Sequence, residues 1–171
     1  TILYAAVETD RRNGAVYKTT NSGGSWLKMS DTVSGATGPH YYQELVASPH
    51  VFDKIYLMDT KVQVSENGGK DFYIMNESDK HVDNHSLTFK MSDPNYLLIG
   101  TDGGVYESFD DTNSWKFVAN LPLTQFYKLA VDDAYPFYNI FGGTQDNNTQ
   151  GGPSRKFKTS GITNSDWFVL L

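Results

Sequence analysis

Apolar and polar positions alternate in short runs along this chain. Gly, Asn, Asp and Pro interrupt those runs before a 3.6-residue apolar period can persist, so the pattern predicts strands and no helix. Gln125-Phe126-Tyr127-Lys128-Leu129-Ala130-Val131 alternates most plainly and reads as the innermost strand of a sheet, as do residues 42–47 and 86–90. Strand-forming runs recur at 2–7, 54–58, 96–100 and 137–142, and Pro49, Pro94 and Pro136 introduce the last three. Each run leads through a polar turn to a second strand, such as Val16-Tyr17-Lys18 or Gly104-Val105-Tyr106-Glu107. A Ser/Asn/Asp/Gly turn follows, then an outer strand such as Trp115-Lys116-Phe117-Val118. Strand, turn, strand, turn, strand is an antiparallel meander.

The turn before each outer strand is a repeat. Residues 19–26, 65–72 and 108–115 align without gaps on the template Ser/Thr-x-Asp/Asn-x-Gly-x-polar-aromatic. Thr19, Asn21, Gly23 and Trp26 fill it first, Ser65, Asn67, Gly69 and Phe72 second, and Ser108, Asp110 and Trp115 third, where Thr112 replaces the glycine. This is the pattern of an Asp-box turn, and its residues have a structural logic. The hydroxyl and Asp/Asn side chains bond turn backbone, glycine permits a positive φ, and the aromatic packs between neighbouring sheets. The closing aromatic recurs after 46 and then 43 residues, which is the period of a four-stranded propeller blade of about 40–50 residues.

The expected fold is therefore all-β, a partial β-propeller of about three and a half four-stranded antiparallel blades with Asp-box turns. It is expected as a single incomplete domain over 1–171, with blades near 1–40, 41–80, 81–122 and a partial one at 123–171. A closed ring needs roughly four to eight blades, so the remaining blades of a parent chain are expected partners.

Composition narrows the function. A formal net charge of −6 with no Lys/Arg cluster beyond Arg155-Lys156-Phe157-Lys158 disfavours nucleic acid. The absence of Cys excludes disulfides and thiolate metal sites. No apolar stretch approaches the roughly 18 residues that span a membrane as a helix.

Turns in a blade alternate between two faces, and the face opposite the repeated turns collects the candidate chemistry. Loops leading into inner strands bring His40, Tyr41 and Tyr42, then His81, Asp83 and His85, then Gln125 and Tyr127. Hairpin turns bring Asp10, Arg11 and Arg12, then Asp59 and Lys61, then Asp102, then Gln145, Asp146 and Asn147. His81, Asp83 and His85 alternate, so an extended segment would converge them on one divalent metal ion or polar ligand. Asp102 and Asp146 occupy equivalent turns and are the candidate acid and base for a glycosidic bond. His40, Tyr41, Tyr42, Gln125, Tyr127, Gln145 and Asn147 offer stacking and hydrogen bonds to a glycan or an extended peptide.

The repeated turns and their flanks resemble the Asp-box, or bacterial neuraminidase repeat, propellers. Gly38-Pro39-His40-Tyr41-Tyr42, His81-Val82-Asp83-Asn84-His85, the run Leu98 to Tyr106, Thr124-Gln125-Phe126-Tyr127 and Gly142 to Asn147 resemble a narrower group. So do Gly151-Gly152-Pro153-Ser154-Arg155 and Asn164-Ser165-Asp166-Trp167. That group comprises large bacterial proteins described as sortilin-like or glycosyl-hydrolase-like, and the resemblance implies export to the periplasm or the exterior. Sialidases share the turns but need three separated arginines, whereas this chain has Arg11, Arg12 and Arg155, two of them adjacent. Xyloglucan-cleaving endoglucanases are the nearer enzyme analogy. Three functions follow as alternatives: a glycan- or peptide-binding propeller, a glycoside hydrolase, and a protein-interaction scaffold.

Overall fold

The computed structural model describes residues 1–10, 13–32, 44–121 and 123–170. Among them are 15 strands in four antiparallel sheets, and the only helical element is a single 3₁₀ turn at Asn164–Asp166. The first sheet holds β1 (Leu3–Asp10), β2 (Asn13–Thr19) and β3 (Leu27–Ser30). The second holds β4 (Leu45–Ala47), β5 (Ile55–Leu57), β6 (Gln63–Ser65) and β7 (Tyr73–Ile74). The third holds β8 (Asn84–Phe89), β9 (Leu97–Thr101), β10 (Gly104–Ser108) and β11 (Lys116–Phe117). The fourth holds β12 (Phe126–Val131), β13 (Asn139–Thr144), β14 (Thr149–Pro153) and β15 (Phe168–Val169). Every sheet is a meander in chain order, as the alternation predicts, and the fold is all-β and propeller-like. The three-stranded sheet is the first, and the last carries four strands.

The chain divides into two compact units. One, Thr1–Ala119, contains the first three sheets; the other, Asn120–Leu171, contains the fourth.

In the first unit the core follows from the strand period of two. Residues of β5 point alternately to opposite faces. Ile55 and Leu57 pack with Val16 of β2 on one side, while Tyr56, followed by Met58, packs with Leu97, Ile99 and Trp115 on the other. A strand covered on both faces reads as an unbroken apolar run, which is why Ile55-Tyr56-Leu57-Met58 shows no alternation in sequence. The repeated-turn aromatics close these layers. Trp115 is buried in the second cluster, its Nε1 donating to the Asn76 carbonyl at 3.0 Å, and Phe72 packs on the first. Trp26 stays 44% exposed.

The turns themselves are built alike. Thr19 Oγ1, Ser65 Oγ and Ser108 Oγ accept the backbone N–H four residues on, at 3.1, 2.8 and 2.9 Å. Asn21, Asn67 and Asp110 each accept the N–H of the residue four further on through a side-chain oxygen, at 2.9, 3.0 and 2.9 Å.

Candidate functional site

In the first unit, three segments meet at the end of the sheets opposite the repeated turns. They are the β5–β6 connection at 58–62, the β7–β8 loop at 75–83 and the hairpin turn Asp102-Gly103 between β9 and β10. The β7–β8 loop is pinned to the second sheet by backbone bonds. Asp83 N–H donates to Thr60 O at 2.8 Å and Asn84 N–H to Asp59 O at 3.2 Å. The fully buried Asn84 amide donates to the same two carbonyls, at 3.2 Å to Asp59 O and 2.9 Å to Thr60 O. Its oxygen accepts from Lys80 Nζ at 2.5 Å.

Lys80 is the centre of this anchorage. Its ammonium has no solvent exposure and donates to the Glu77 carboxylate, to Asn84 and, at 3.2 Å, to His81 O. It also lies 5.8 Å from the centroid of the Trp115 ring. Burial pushes the Lys80 ammonium below its ordinary pKa, against the opposing pull of Glu77 and Asp83. Glu77 in turn accepts Val62 N–H at 2.8 Å.

On this support sit the predicted side chains. Gly103 leaves room for the His81 ring, since a Cβ there would lie 2.5 Å from His81 Cβ. His81 Nδ1 donates to Val82 O at 2.8 Å and lies 3.9 Å from Asp83 Oδ2. Asp102 N–H donates to Asp83 O at 3.1 Å, joining loop and hairpin turn. His85 Nε2 lies 2.8 Å from Asp102 Oδ1. A carboxylate is an acceptor, so Nε2 carries the proton of that bond. All four side chains are partly exposed, between 17% and 35%.

The segment 81–85 is not uniformly extended. Asp83 adopts φ +61° and the β8–β9 register shifts between Asn84 and Ser86. Strict alternation does not carry through a left-handed residue and a bulge. The structure brings His81 beside Asp83 and His85 beside Asp102.

The second unit holds the other described candidates. Gln145 N–H donates to Gln125 O at 3.0 Å, and Asn147 Nδ2 to Gln145 O at 2.7 Å, both in the β13–β14 turn region. Asp146 sits in that turn at φ +47°. Tyr127 on β12 is 58% exposed. A cleft of about 420 Å³ opens on this sheet, lined by Leu121, Leu123, Thr124, Phe126, Gln150, Asn164 and Trp167. Asp102 and Asp146 lie in equivalent hairpin turns, one in each unit. His40, Tyr41, Tyr42, Arg11 and Arg12 lie outside the described residues.

Sequence reasoning missed Lys80, Glu77 and Asn84 as determinants of the site. A Glu-Ser-Asp-Lys run reads as solvated loop, and only the packing of Trp115 shows Lys80 to be interior.

No family model matches the sequence, and no curated protein matches it. Solved structures do. A GH74 enzyme of Niastella koreensis superposes with a TM-score of 0.59 at 12% identity, over 98% of this chain and 28% of that one. A GH74 xyloglucanase from Xanthomonas campestris superposes with a TM-score of 0.54 at 18% identity, again over 98% and 28%. At such identities the likeness is one of fold, and the chain spans about 28% of the length of either enzyme.

Proposed function

We propose that this chain is part of an Asp-box propeller that binds glycans on the face opposite the repeated turns. One observation carries the reading: the His85–Asp102 pair stands partly exposed on that face, on a loop held by a buried Lys80–Glu77–Asn84 network. A rigid support under a few half-exposed polar groups is how a protein fixes donors and acceptors for hydroxyl-rich ligands. The fold likeness to GH74 enzymes, one of them a xyloglucanase, favours a glycan over an extended peptide. Xyloglucan oligosaccharide is the first probe. Calorimetric titration of the full-length protein is expected to show binding that His85→Ala and Asp102→Asn each weaken at least tenfold. Binding unchanged in both variants overturns the assignment.

Hydrolysis is the second reading, favoured by the same likeness and by the place of Asp102 in the hairpin turn. It predicts release of reducing ends from xyloglucan, lost in Asp102→Asn. Tight binding without such release leaves the chain a binding module.

A further inference from the structure

Exposed aromatic and charged side chains gather at one end of the fourth sheet. The β12–β13 turn at 132–138 and the β14–β15 loop at 154–167 emerge together at that end, tied by Ser154 N–H donating to Tyr138 O at 2.8 Å. The β13–β14 turn, with Gln145 and Asn147, lies at the opposite end. Phe137 and Phe157 pair with ring centroids 4.8 Å apart and planes tilted by 49°. Phe157 is nevertheless 86% exposed, and Tyr135 on the same turn as Phe137 is 97% exposed. Large aromatic surface left in water on two adjoining loops marks a binding surface.

The charges define the ligand. Lys156 and Lys158 both reach the Asp166 carboxylate, at 3.2 and 2.9 Å, and are committed there. Asp132 turns onto Asn139, accepting from its backbone N–H at 2.7 Å and its amide at 2.8 Å, while Asp133 is exposed on the same turn. Arg155 alone among these cations has no ion pair with a described residue. Its exposed guanidinium lies 5.6 Å from the Phe137 ring centroid, held by the aromatic face with its N–H fork open.

The geometry points to a site for glycans bearing a carboxylated sugar ring, a uronate. The Arg155 fork takes the carboxylate in bidentate fashion, and the exposed Phe157 ring receives the C–H face of the sugar. With acidic and basic side chains balanced across the two loops, the site selects a single carboxylate beside an apolar face rather than a dense polyanion.

The test is titration of the full-length protein with oligogalacturonate, its methyl ester, polyglutamate and neutral xyloglucan oligosaccharide. Oligogalacturonate is expected to bind, the methyl ester at least tenfold more weakly. Arg155→Ala is expected to abolish the binding, Arg155→Lys to weaken it, and Phe157→Ala to weaken it at least fivefold. Both side chains changed are exposed, so thermal unfolding should be unmoved. His85→Ala and Asp102→Asn are expected to leave uronate binding intact, which separates this site from the His85–Asp102 site of the first unit. Equal binding of the methyl ester, equal binding of polyglutamate, indifference to Arg155→Ala, or no binding of oligogalacturonate each overturns the proposal.

Discussion

His85 Nε2 and Asp102 Oδ1 stand 2.8 Å apart, linking the start of β8 to the hairpin turn between β9 and β10. The backbone already joins these segments through Asp102 N–H and Asp83 O. The side-chain bond is therefore available for function at little structural cost. His85→Ala is expected to lower stability by only about 1 kcal/mol, because both groups are partly exposed. Urea unfolding of the variant beside its xyloglucan titration checks this: a large loss of stability would make the pair structural.

Lys80 presents the opposite case. Its ammonium is fully enclosed between Glu77, Asn84 and the Trp115 ring. Removing one partner of a buried pair strands the other, so Lys80→Met is expected to cost roughly 3 kcal/mol. Glu77→Gln keeps the oxygen that accepts Val62 N–H while removing the stranded charge. The double variant Glu77→Gln/Lys80→Met is then expected to recover at least half of the loss, measured as a double-mutant cycle in urea.

The contrast between these residues shows what the sequence made legible. The meander and its period are local: strand alternation and turn chemistry repeat three times within reach of one another, and the sheets follow them. The face shared by Asp59, His81, Asp83, His85 and Asp102 is equally legible, since strand direction alone decides which turns lie together. The pairing within that face was not. It depends on Asp83 at φ +61° and on the register shift after Asn84, and neither leaves a sequence signal as clear as Asn-Gly or Asp-Gly. Lys80 is legible only in three dimensions, because burial of a lysine is decided by its partners rather than by its neighbours in the chain.

Acid lability should centre in part on Asp53. Burial alone would raise its pKa, but hydrogen bonds from Lys18 and Tyr4 and the charge of Lys18 outweigh it and hold the carboxyl below its ordinary value. A folded pKa below the unfolded one gives stability that is present above about pH 4 and is lost as pH falls through the folded value. Asp53→Asn removes that linked proton. Its urea midpoint is expected to be lower than that of the parent at neutral pH and to fall less steeply below about pH 4. Parallel acid limbs for the two proteins would exclude Asp53 as a contributor.

Thr112 carries strain that the repeat identifies. The first two turns place Gly23 and Gly69 at φ +94° and +91°, and the third places Thr112 at +73° in the same role. The same bond imposes the conformation in each copy, since Thr112 N–H donates to Ser108 Oγ as Gly69 N–H does to Ser65 Oγ. A β-branched residue in the left-handed region is disfavoured by crowding at Cβ. Thr112→Gly relieves that crowding but adds freedom to the unfolded chain, so the net gain is expected to be about 0.5–1 kcal/mol. The reverse change at the second turn supplies the control. Gly69→Thr imposes the same strain, and its Cβ would lie 2.8 Å from Val16 Cγ1, so it is expected to cost at least about 2 kcal/mol. Opposite shifts of the urea midpoint for the two variants follow from strain in the turn. A loss of stability in Thr112→Gly would show instead that the threonine side chain contributes more through its contacts than its backbone conformation costs.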